Sequence, residues 1–130
     1  MRRRDALAVT LAFAAAPAVA RSAGAASRPE PSYALFPTLT ATIMRSGGRR
    51  GVLSVEAGID VADEELRHTA VTMQPRLRAA LTDALREFGA ALLPGHAPDA
   101  DRLARTLQTA TDRTLGRSGA RVLLGTILVG

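Results

Sequence analysis

The chain has 130 residues, no cysteine and a formal net charge of +5, from 17 basic residues, all arginine, against 12 acidic ones. The missing cysteines exclude disulfides and thiolate metal sites, so a folded domain must be held by its apolar core, and 47% hydrophobic residues can supply one. The basicity does not point to nucleic acid: Arg2, Arg3, Arg4 and Arg21 lie in the first 25 residues with Asp5, the remainder carries +2, and its longest basic run is Arg49-Arg50.

Residues 1–25 read as an export signal. Arg2 to Arg4 form a basic head, Ala6 to Ala20 an alanine-rich apolar stretch, and small residues follow as at a signal-peptidase site. Arg3-Arg4-Asp5-Ala6-Leu7 fits a twin-arginine head. Cleavage after Ala20 or after Ala25 satisfies the small-x-small rule equally. A retained anchor is the alternative, but Ala6 to Ala20 falls short of the roughly 20 apolar residues that cross a bilayer and contains Pro17. The expected location is therefore periplasmic, with membrane association if the segment is kept. Residues 26–34, with Pro29 and Pro31 and no apolar period, read as a tether, and residues 35–130 as one domain.

The domain opens with strand chemistry. Leu39, Ala41 and Ile43 alternate with Thr38, Thr40 and Thr42; after Ser46-Gly47-Gly48-Arg49-Arg50-Gly51 the alternation resumes with Leu53, Val55, Ala57, Ile59 and Val61 on one face. Two alternating runs around a glycine-rich turn predict an antiparallel hairpin. The turn could in principle cradle a phosphate, but no helix start follows it, and the plain hairpin is the expectation.

Helical spacing takes over at Asp63-Glu64-Glu65, acids suited to a helix N-terminus, with Leu66, Ala70 and Met73 on one face before Pro75 interrupts or restarts the helix. Leu77, Leu81, Leu85, Phe88 and Leu92 then form a stripe. Leu93-Pro94-Gly95-His96-Ala97-Pro98 breaks it, Asp99 can cap a further helix carrying Leu103, Leu107, Ala110 and Leu115, and Gly116 ends that helix. Val122 to Val129 is a nearly continuous apolar run of the kind a central strand shows. The expected fold is α+β in the order ββααβ: a small antiparallel sheet, made of a hairpin and a C-terminal strand, packed by two to three helices.

Catalytic chemistry is sparse in this pattern. His68 and His96 have no carboxylates at metal-ligand spacing and read as solvated side chains; Asp63-Glu64-Glu65 is explained by helix-end electrostatics; no serine sits in a nucleophile motif and no dinucleotide glycine fingerprint occurs. No catalytic, cofactor-binding or metal-ligating residue is therefore assigned, and no enzymatic activity is expected.

Leu35-Phe36-Pro37-Thr38-Leu39-Thr40 leading into a glycine turn, Leu53-Ser54-Val55-Glu56-Ala57-Gly58-Ile59-Asp60-Val61 followed by acids, and Pro75-Arg76-Leu77-Arg78-Ala79-Ala80-Leu81 together resemble the periplasmic domain of the flagellar basal-body-associated FliL family, over about Leu35 to Val129. The resemblance implies a small α+β domain similar to stomatin-type modules, which self-associates around membrane-embedded flagellar motor components and performs no chemistry. Two function classes follow: a non-enzymatic periplasmic interaction domain with protein partners, associated with the flagellar motor or another membrane complex, and a small-ligand or lipid-binding module with a pocket between sheet and helices.

Overall fold

A computed structural model of the chain describes residues 32–130. The expected signal segment and most of the tether lie outside the described residues. Four strands and three helices follow in the order β1 (Tyr33–Leu35), β2 (Leu39–Met44), β3 (Arg50–Val61), α1 (Glu64–Thr72), α2 (Gln74–Ala91), α3 (Ala100–Leu115) and β4 (Ala120–Val129). The α+β class and the single antiparallel sheet are those the alternation predicts.

Two expectations are corrected. The composition places the tether up to residue 34, yet Tyr33 and Ala34 already pair with Asp60 and Ile59 of β3. Three residues are too few for an alternation to be read, and β1 forms because Phe36, buried just after it, pins the chain to the sheet through Phe36 N–H to Ala57 O at 3.0 Å. The second concerns β4. β3 is the central strand, with β1 and β2 in succession along one side and β4 along the other. β4 is thus an edge strand. Its run reads as continuous because the register shifts between Val55 and Ala57 of β3, where Gly125 and Thr126 face the single residue Glu56. This bulge breaks the period of two, so that Leu124 and Ile127, three apart, both turn toward the core.

The helices cover one face of the sheet. Leu39, Ala41 and Ile43 of β2 and Leu53, Val55, Ala57, Ile59 and Val61 of β3 are buried there, against Leu77, Leu81 and Leu85 of α2 and Leu103 and Leu107 of α3, all five helical leucines fully inaccessible. Each such leucine contributes roughly 1.5–3 kcal/mol through burial. Phe88 only packs on the border of this core, and on α3 Thr111 occupies the buried position expected of Ala110, its hydroxyl donating to Leu107 O at 2.9 Å. A threonine satisfied within its own helix can replace an apolar residue without leaving a polar atom unpaired.

Local chemistry sets the helix ends. Asp63 caps α1 by accepting from Leu66 N at 2.9 Å, and the same oxygen takes a hydrogen bond from Arg117 at 3.3 Å. Pro75 sits in the first turn of α2, where a missing N–H costs nothing, and the chain bends at Met73. Asp99 caps α3, accepting from Asp101 N and Arg102 N, and Gly116 closes it in the left-handed region at φ 78°. Asp63→Ala is expected to lower stability by about 1 kcal/mol, read as a lower midpoint in a urea titration; an unchanged midpoint would show that the cap contributes nothing.

Candidate functional site

The helices leave two parts of the sheet uncovered. The first is the face turned away from them, where cross-strand neighbours form short rows: Tyr33, Asp60 and Arg121; Leu35, Gly58 and Leu123; Thr40, Ser54 and Leu128. Leu35 is 65% exposed, Leu128 60% and Val52 47% on this face. Among the described residues, Asp60 Oδ1 is buried on this face and has no hydrogen-bond partner.

The second is the outer edge of β4, and its two halves differ. Val61 N donates to Ser32 O and Ala57 O accepts from Phe36 N, so both residues direct these groups away from β4. By the alternation of antiparallel pairs, their partners Ala120 and Leu124, with Val122 between, turn backbone groups outward. Gln108 of α3 meets the first of these: its Nε2 donates to Ala120 O at 2.6 Å and its Oε1 accepts from Val122 N at 2.9 Å. One amide side chain thus stands in for the neighbouring strand. Beyond the bulge, Gly130 exchanges both hydrogen bonds with Val52, which places the outward groups on Ile127 and Val129. No hydrogen bond reaches these outward groups among the described residues.

A third feature lies at the end of the sheet where the β2–β3 turn meets the loop between α2 and α3. The turn is closed by Arg45 N to Arg49 O at 2.7 Å, with Gly47 and Gly48 both at positive φ, as their sequence predicts. Gly51 lets the aliphatic stem of Arg45 lie across β3: a Cβ there would come within 2.6 Å of Arg45 Cδ. The loop packs on the turn at Gly95, where a Cβ would approach Ser46 Cβ to 3.3 Å. Two clefts open beside this contact. One, of about 390 Å³, is floored by Phe88, Ala91 and Leu92 and rimmed by Glu87, Asp99 and Arg102; the other, of about 270 Å³, runs between Arg45, Ser46 and Met44 on one side and Pro98 and Val129 on the other. His96 and Ala97 line both.

The structure therefore separates the two histidines. His68 is exposed on α1 and lines neither cleft, whereas His96 stands between them. Asp63, Glu64 and Glu65 are at the start of α1, as expected of helix-end acids. No group of three or more His, Asp or Glu able to hold a metal occurs among the described residues. The space between sheet and helices, expected to offer a pocket in a ligand-binding module, is filled by the inaccessible leucines of α2 and α3. Sequence reading missed Gln108 and Arg45, because each acts on residues that only the fold brings near; Gly125 inside an apolar strand and Gly51 at a strand start were the available signals.

Among the described residues no helix is long and apolar enough to cross a membrane. No protein-family model matches the chain, and no curated protein matches it.

Proposed function

We propose that this chain is a non-enzymatic interaction domain of FliL type, exported to the periplasm, which works by adding a strand of a partner or of a second copy to β4, at the flagellar motor or another membrane complex. The observation that carries the reading is the half-sealed edge. Gln108 closes the first outward positions of β4 and, among the described residues, Leu124, Ile127 and Val129 are left without a hydrogen-bond partner on that side, beside the exposed Leu128. An uncovered apolar edge invites pairing with another strand, and natural sheets ordinarily blunt such edges. The exposed Leu35, Val52 and Leu128 of the open face support the same reading, since a partner on that side could bury them.

Val129→Pro tests it. The substitution removes an outward N–H and leaves the Val52 to Gly130 exchange in place, so the edge loses a donor while the sheet keeps its ladder. Sedimentation of the parent at micromolar concentration is expected to show self-association, weakened about tenfold or more in the variant, as loss of one to two interfacial hydrogen bonds implies. A parent and variant that associate equally, with equal melting temperatures, would exclude the β4 edge.

A further inference from the structure

The two clefts at His96 differ in chemistry, and the difference orients a ligand. The smaller is lined by Arg45, Ser46 and His96 with no acidic side chain among its residues. Arg45 has no ion-pair partner among the described residues, and its position is fixed by the stem lying over Gly51. The larger has an apolar floor, and its rim carries Glu87 and Asp99 as well as Arg102. A negative head group is repelled by that rim and attracted to the first cleft; an apolar chain gains from Phe88, Ala91 and Leu92 in the second. His96 and Ala97 line both clefts and form the saddle between them, Ala97 with a single methyl. The larger volume falls within the roughly 300–1,000 Å³ usual for small-molecule sites, and the smaller suffices for a head group.

We infer that the paired clefts bind a single-chain anionic amphiphile, with its carboxylate or phosphate on Arg45, Ser46 and His96 and its chain running over Ala97 onto Phe88. Arg45 supplies a charge-assisted hydrogen bond to the anion, the Ser46 hydroxyl a second donor, and the exposed Val129 and Met44 the apolar shoulders of the head-group cleft. The inference is independent of strand addition at β4, although Val129 belongs to both regions.

Calorimetric titration of the purified full chain with butyrate, octanoate and decanoate, and with uncharged decyl maltoside, tests each element. Affinity is expected to rise at least about tenfold from butyrate to decanoate as methylenes enter the apolar cleft, with decyl maltoside weaker than decanoate. Arg45→Gln should weaken decanoate binding about tenfold, and Ala97→Phe should block the saddle and reduce decanoate to the affinity of butyrate, both at the parent's melting temperature. Phosphatidylglycerol vesicles form the second arm: competition by decanoate for vesicle binding would show that a lipid head group uses the same cleft. The proposal is overturned if decanoate does not bind, if it binds Arg45→Gln and the parent alike, if decyl maltoside matches it, or if vesicles bind and decanoate neither binds nor competes.

Discussion

Leu81→Asp is expected to leave the chain unfolded at room temperature. Leu81 lies at the centre of α2 with no exposed surface, in a helix that packs on β2 on one side and on α3 on the other. The substitution removes a buried side chain, at a cost of roughly 2–5 kcal/mol. It also places a carboxylate where no donor or cation lies in the surrounding leucine cluster, and that penalty adds several kcal/mol more or forces protonation. Domains of this size are stable by about 5–15 kcal/mol, so the two effects together consume most or all of the margin. Circular dichroism should show loss of helix and no cooperative melt. A variant that melts at the parent's temperature would remove α2 from the core.

Gln108→Ala is the change with the next largest consequence. The amide holds Ala120 O and Val122 N and also donates to Asp112 Oδ1 at 3.0 Å, so truncation strips two backbone groups of β4 of their partners. The expected loss is about 1–3 kcal/mol per group left buried and unpaired, and less where water replaces the amide. The more telling effect is on association: the outward side of β4 becomes open from Ala120 to Val129, and the variant should self-associate at lower concentration than the parent. Melting combined with sedimentation separates the two effects. A variant with the parent's stability and the parent's mass would show that Gln108 neither supports β4 nor limits its pairing. Gln108→Glu, which keeps the shape but sets an oxygen against Ala120 O, should destabilise at least as much.

The regular part of this fold is legible in the sequence because it rests on local periodicity. The alternations in β2 and β3, the Leu77, Leu81 and Leu85 part of the α2 stripe and the Asp99 and Gly116 ends of α3 each follow from neighbouring residues and take the expected place, whereas Phe88 only borders the core and Leu92 lies just past the end of α2. What escapes is decided by partners distant in the chain. β1 exists because β3 offers it a ladder, β4 lies at the edge because β1 and β2 occupy the other side of β3, and Gln108 reads as one more polar residue on a helix until Ala120 is beside it. Arg45 and His96 are 51 positions apart in the chain; their convergence requires both the closed turn and the loop that Gly95 seats upon it. Neither histidine has a motif around it, so the sequence treats them alike, and only the packing of the loop distinguishes His96 from His68.

The long central strand also has a mechanical consequence. Ser32 is tied by its carbonyl to Val61, at one end of β3, while Gly130 is tied to Val52 near the other. A pull applied between these two ends acts along the strand axis and draws β1 and β4 lengthwise past β3, so that many ladder hydrogen bonds bear the load at once and none can open singly. Applied across the sheet at β4 alone, the same force would meet those bonds one after another. A domain with this geometry should transmit tension from its N-terminal side to a load held near Gly130 and yield readily to force directed sideways, an anisotropy that single-molecule pulling along the two axes would measure.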